Sequence, residues 1–217
     1  MRKSMYHRAV LVALVMAFIF GMAAPGFAFD KERKGFILGF GLGPGFTSYS
    51  ETRVESGQDD VTQDGSKFSF LSNFKIGYAP SNQLMVYWLS NVAWYGIDTS
   101  VEMYYDGDKE SYLPYNDVTL LSGVGGIGVT YFFRPKAPSI FVTAGAGLSA
   151  MSLPFEGTDT RTGLGISGGI GYEFARNWCL EASVIWGDAK RTLEESEYDE
   201  YNGDFLGFGL TINVLGY

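Results

Sequence analysis

The sequence predicts an all-β fold, an eight-stranded antiparallel transmembrane β-barrel of up-and-down topology, and three observations carry that prediction. The first is residues 164–174, where Leu164, Ile166, Ile170, Tyr172 and Phe174 alternate with Gly165, Ser167, Gly169, Gly171 and Glu173. Alternation of this length is a β-strand with two unlike faces. Its bulky face suits lipid, and its glycine-lined, charged face suits a narrow lumen. The second observation is that most of the chain repeats this design. The third is that the connections alternate between short and long, as in barrels with tight turns on one side of a membrane and long loops on the other.

Residues 1–28 read as a cleaved export signal and residues 29–217 as the barrel domain. Arg2, Lys3 and Arg8 give a basic start, residues 9–24 form an uncharged apolar run, and Gly26-Phe27-Ala28 ends in the small residues of a cleavage site. The run is shorter than the roughly 20 apolar residues of a spanning helix. No second long run follows, which excludes a helical membrane protein. Residues 29–217 hold 13 Lys and Arg against 24 Asp and Glu, a net charge of −11. That acidity argues against nucleic acid as a partner.

The first strand is expected near 35–46, with Gly43-Pro44-Gly45 producing a bulge or an early exit from the wall. The second, 67–78, sets Phe68, Phe70, Phe74, Ile76 and Tyr78 against Ser69, Asn73, Lys75 and Gly77. The third, 84–96, is apolar on both faces: Leu84, Val86, Trp88, Val92 and Trp94 oppose Met85, Tyr87, Leu89 and Tyr95. The fourth, 118–133, passes through Gly123, Gly125, Gly126 and Gly128 before Ile127, Val129, Tyr131 and Phe133 settle into one face. The remaining strands fall near 139–151, 163–175, 178–187 and 205–216. Each has about the 9–11 residues a tilted strand needs to cross a bilayer. The connections at 79–82, 134–138 and 176–177 are short, and the other four are expected to run to about 12–20 residues.

With the signal and the final aromatic, Tyr217, these long–short hairpins resemble the small eight-stranded outer-membrane barrels: the OmpA membrane domain, OmpX and OmpW. The resemblance implies a bacterial outer membrane, contact with outer-membrane lipid and lipopolysaccharide, and insertion by the barrel-insertion machinery through the last strand. In the family the terminal aromatic continues the outward-facing series. Tyr217 is out of phase with Leu206, Phe208, Leu210, Ile212 and Val214. Either a bulge near Leu215-Gly216 restores the phase, or recognition differs. The sequence specifies no oligomeric state.

Chemistry is sparse. The one histidine, His7, lies in the signal. The barrel enzymes that this chain resembles in architecture characteristically use a histidine as base, and without one a serine lacks its conventional activator. No enzyme is expected. Gly163-Leu164-Gly165-Ile166-Ser167-Gly168 matches a dinucleotide fingerprint, but no helix begins within it, so its glycines read as inner wall. Cys179 reads as a small packing residue. The long connections hold 20 of the 24 acidic residues, including Asp59-Asp60, Asp106-x-Asp108-x-Glu110 and Glu194-Glu195-x-Glu197-x-Asp199-Glu200. None has the spacing of a calcium loop, so no cofactor or metal is expected.

The inner face carries the candidate site. Lys75, Glu173 and Glu181 each lie about three residues from a short turn, hence at similar depth. A buried charge is costly unless paired, so Lys75 is expected to approach one or both glutamates, with Asn73, Asn91 and Tyr87 as hydrogen-bond partners. The cluster reads first as a structural plug and second as a polar gate. On the outer face an aromatic belt is expected: Tyr78, Tyr131, Phe133, Tyr172, Phe174 and Trp178 at the short-turn end, with Phe68, Trp94 and Trp186 at the other. Trp88 falls nearer mid-wall. The leading functional expectation is a non-enzymatic envelope protein with a structural or surface-interaction role through its acidic loops. The alternative is a narrow channel for small apolar molecules, suggested by inward Met85, Leu89 and Tyr95 beside Phe141 and Met151. A soluble ligand-binding barrel would require the bulky face turned inward.

Overall fold

Eight strands that each carry one small face can close into a cylinder with those faces inside, leaving no sheet edge unpaired along the wall. The computed structural model describes residues 33–55, 61–99, 115–152, 160–192 and 199–217. The expected signal, together with Asp59-Asp60, the cluster at 106–110 and residues 194–197, lies outside them. The strands are β1 (Gly35–Glu55), β2 (Val61–Ala79), β3 (Leu84–Thr99), β4 (Tyr115–Phe132), β5 (Ser139–Ser152), β6 (Arg161–Ala175), β7 (Trp178–Thr192) and β8 (Asp199–Gly216). Each pairs antiparallel with its sequence neighbours, and β1 pairs with β8 to close the barrel.

The bulky face is the outer one. Phe68, Phe70, Phe74, Ile76 and Tyr78 of β2 are exposed, as are Leu164, Ile166, Ile170, Tyr172 and Phe174 of β6. Among the expected belt residues, Tyr78, Tyr131, Phe133, Tyr172, Phe174, Trp178 and Trp186 are likewise exposed, whereas Trp94 is half-buried with its indole Nε1 donating to Ser72 Oγ at 2.9 Å. Trp88 is exposed opposite Ile76, nearer the short-turn end than expected. Ten residues separate the first and last exposed bulky groups on β1 (Phe36, Phe46), β2 (Phe68, Tyr78) and β6 (Leu164, Phe174). That is about 33 Å of strand, or roughly 23 Å of height at a ~45° tilt, close to the apolar band of a membrane barrel. Beyond it the outer face turns polar at Ser66, Asp64 and Thr62 on β2, and at Asp204 on β8. This is a membrane-spanning surface, and it rules out the soluble barrel with its bulky face inside.

Three expectations need correction. The strands at the far end are longer than hydrophobic patterning indicated, because polar backbone pairs as well as apolar backbone does. Pairing runs on to Arg53↔Val61 between β1 and β2, to Glu55↔Asp199 between β1 and β8, and to Thr192↔Glu200 between β7 and β8. Much of each presumed loop there is therefore sheet, and Asp64, Asp188 and Asp204 sit on strands. Gly43-Pro44-Gly45 causes neither bulge nor exit: β1 keeps one register with β2 throughout and misses only two pairs with β8 before resuming at Gly45↔Gly209. Proline has no N–H to donate, and at Gly43 the β8 backbone comes so close that a Cβ would overlap the Leu210 carbonyl. Finally, Tyr217 is buried inside the barrel, and the β1–β8 register is unshifted through Gly39↔Leu215 and Leu38↔Gly216. No bulge restores its phase.

Glycine marks where the lumen is tightest. Gly126 of β4 and Gly147 of β5 are register partners, and a Cβ on either would lie 2.5 Å from the other's Cα. Gly147→Val should therefore cost about 2 kcal/mol or more by overpacking. Ala146→Val, pointing outward on the adjacent residue, should change stability by no more than about 0.5 kcal/mol. Urea unfolding in lipid vesicles compares the two, and equal losses would contradict the inward assignment of Gly147.

Candidate functional site in the lumen

The ion pairs Lys75–Glu181 and Arg33–Glu173 lie at the short-turn end of the lumen, and the far end is mainly apolar, with Lys67 and Arg161 also on its inward face. Lys75 reaches from β2 past the glycine face of β1 to Glu181 on β7, with Nζ 2.7 Å from Oε2 and the side chains 9% and 5% exposed. Glu181 also accepts from Thr143 Oγ1 of β5 at 3.1 Å and, more weakly, from Asn213 Nδ2 of β8 at 3.4 Å. Asn73 does not reach Lys75; its Nδ2 donates to Thr211 Oγ1 at 3.1 Å. Tyr87 places its ring 5.5 Å from the ammonium and shares a 2.8 Å hydrogen bond between its hydroxyl and Thr130. Asn91 is half-buried and opposes Asn73 across the β2–β3 pair. One ion pair thus ties together strands three apart around the barrel, across the β1–β8 seam.

Glu173 belongs to a second cluster, contrary to the single group expected. It is fully buried on β6, and its Oε2 accepts from Nε and Nη2 of Arg33, which is 2% exposed. Its other oxygen accepts from the Tyr217 hydroxyl. Arg33 Nη1 donates to the carbonyl of Asn82 at 3.0 Å and to that of Arg134 at 2.7 Å, and its guanidinium stacks 4.0 Å from the Phe132 ring centroid. The residue just before β1 therefore seals the short-turn mouth and joins two of the three tight turns. At the third, Asn177 adopts φ 68°, a left-handed conformation that Asn tolerates, and its Nδ2 donates to the Leu215 carbonyl at 2.6 Å.

Sequence periodicity could not find Arg33 or Tyr217, because both stand outside the strands. Topology offered the signal: an even strand count brings both chain ends to the short-turn mouth, where an inward Glu173 needs a cation. Two inward glutamates beside one inward lysine left one charge to be matched from there.

Among the described residues, a void of about 10 Å³ beside the Lys75–Glu181 pair touches Asn213, Phe132, Phe141 and Cys179, room for about one water. Toward the far end, Tyr49 and Tyr95 stack with ring centroids 5.6 Å apart, and Tyr95 bonds Ser122 at 2.6 Å. Leu71, Leu120, Met151, Ile185 and Phe205 are buried alongside. Met85, Leu89 and Phe141, expected to line a passage, are buried packing groups.

No protein-family model matches the sequence, and no curated protein matches it. Solved structures do. Neisserial surface protein A is 18% identical, with 81% of this chain and 96% of that one covered at a TM-score of 0.41. The outer membrane protein OprG from Pseudomonas aeruginosa is 10% identical, with 86% and 99% covered at 0.47. The outer membrane protease OmpT from Escherichia coli is 10% identical, with 88% and 99% covered at 0.43.

Removing one partner of a buried ion pair strands the other's charge and costs about 3–5 kcal/mol, whereas replacing both is often close to neutral. Lys75→Met and Glu181→Leu should each lose stability on that scale, and the double variant should recover most of it. A double-mutant cycle by urea unfolding checks this, and additive losses would contradict a direct pair.

Proposed function

We propose that this protein is a non-enzymatic barrel of a bacterial outer membrane that keeps its lumen shut and meets its surroundings through polar sheet at the far end. The observation that carries the reading is the apolar outer band, of membrane height and rich in aromatics near its ends, wrapped around a filled interior. Barrels with this surface are the form in which β-structure spans a bilayer, since closure leaves no backbone group unpaired in hydrocarbon. The short-turn end with Arg33 then faces the periplasm, and the longer strands face outward.

Support for a surface role comes from how β7, β8, β1 and β2 continue past the apolar band as one paired sheet. Hydroxyls pair across β1 and β2 there, Ser66 Oγ with Ser48 Oγ at 3.2 Å and Thr52 Oγ1 with Thr62 Oγ1 at 3.1 Å. Such a platform offers a partner fixed polar groups. The acidic connections would add to it, and lipopolysaccharide is the nearest surface for it to meet.

The narrow-channel reading keeps one observation in its favour. β2 and β3 pair only from Tyr78↔Val86 to Phe70↔Trp94, while β3 and β4 pair on to Thr99↔Tyr115. The wall is therefore less tightly sewn beyond Phe70 and Trp94, beside Ser69 and Tyr95, where an apolar solute would enter.

Flux separates the two. The reconstituted wild type and Lys75→Met should both give no discrete conductance in planar bilayers and no uptake of small apolar solutes into vesicles, because the far-end packing is independent of the ion pair. Conductance in either protein, or solute uptake by the wild type, would refute the shut lumen.

A further inference from the structure

Among the described residues, two grooves open on the outer wall near the short-turn end, and they differ in charge. One is bordered by Tyr78, Pro80, Val86, Trp88 and Ile127 and contains no ionisable group besides tyrosine. The other lies over β5 and β6, bordered by Phe133, Arg134, Pro138, Ile140, Ile170 and Tyr172. It is apolar along its length with Arg134 at its mouth, and the side chains of Arg134 and of Lys136 in the same turn are exposed. Among the described residues of the three tight turns, 80–83, 133–138 and 176–177, no carboxylate side chain is present to neutralise them. Glu173, the nearest inward acid, is already held by Arg33 and Tyr217.

Above the groove the outward face of the wall carries small side chains. Ala144 and Gly168 are register partners on the outward face, followed by Ala146. From Ile140 to Ala146 is about 20 Å of strand, or roughly 14 Å of height at a ~45° tilt, the depth of one leaflet of a bilayer. An apolar track one leaflet deep with cations at its interfacial end matches one class of molecule.

We propose that this groove binds a phospholipid with an anionic headgroup from the periplasmic leaflet. Its phosphate lies against Arg134, a planar donor suited to phosphate, with Lys136 in the same turn, and an acyl chain lies over the outward side chains of Ile140, Val142 and Ile170. The proposal rests on the membrane reading above and goes beyond it in naming a site and a headgroup charge. The neutral groove beside Trp88 serves as an internal reference, holding lipid without regard to headgroup.

Native mass spectrometry of the full-length protein in neutral detergent tests the site, with phosphatidylglycerol and phosphatidylcholine of equal chain length offered together. The wild type should retain phosphatidylglycerol about tenfold over phosphatidylcholine, a preference expected of two interfacial cations. Arg134→Gln/Lys136→Gln should bring the ratio near one. Ala144→Phe, which fills the track on an outward face, should reduce retention of phosphatidylglycerol with both cations intact. Equal retention of the two lipids by the wild type, an unchanged ratio in the double variant, or displacement of the lipid by inorganic phosphate would overturn the proposal, the last by identifying a free-anion site. Heat-modifiable gel mobility after insertion into phosphatidylcholine vesicles is read in parallel. If it is normal while the lipid preference is absent, the site fails and the membrane barrel stands; if it is lost in the wild type, the membrane reading fails first.

Discussion

Interior volume is the constraint from which the rest of this structure follows. Eight strands enclose little more than their own inward side chains, so each large group inside must be answered by a small one beside it. Leu89 occupies the space that side chains on Gly128 and Gly145 would take, Phe141 that of Gly171, Leu71 that of Gly209, and Phe205 that of Gly187. The bulky residues left over have no room inside and must face out. The apolar exterior is thus the complement of a full interior, and a membrane is the solvent in which such an exterior costs least.

The same limit shapes the electrostatics. Among buried side chains, each inward charge needs a partner within reach. Lys75 finds Glu181 across the β1–β8 seam, and Glu173 finds Arg33 from outside the strand system. The second pairing has a topological result: residues just before β1 and just after β8 meet on one carboxylate, bracing the first and last strands where a cylinder must be closed. It also accounts for Tyr217. A tyrosine that bonds Glu173 cannot continue the outward aromatic series, so any recognition of the final strand has to use Leu210, Ile212 and Val214.

Much of this was legible in the sequence, and the failures have a common cause. Alternation at Leu164–Phe174 or Leu206–Val214 reports the face because each position has only two options. Strand number, strand order and the location of the tight turns follow from it. The far ends of the strands were misread because residues such as Ser48, Thr52, Thr62 and Asn202 pair through their backbones and carry no hydrophobic signal. Gly43-Pro44 was misread because local breaker chemistry was overruled by pairing on both sides of it. In the lumen, inward charge was visible but partnership was not. Lys75 and Glu173 lie at similar depth from the turns, yet only three-dimensional closure decides which cation each glutamate meets. Arg33 lies in a segment where periodicity says nothing, and its role depends on two turns and a β6 carboxylate from distant parts of the chain.

The direction of the two faces is the claim on which everything else stands, and single-cysteine labelling tests it most directly. In a Cys179→Ser background, cysteine placed at Ile166, Ile170, Leu180 or Leu210 should react with a lipid-soluble maleimide in the inserted protein, and cysteine at Thr143 or Ser183 should not. Labelling at 143 and 183 with protection at 166, 170, 180 and 210 would mean that the wall is turned inside out.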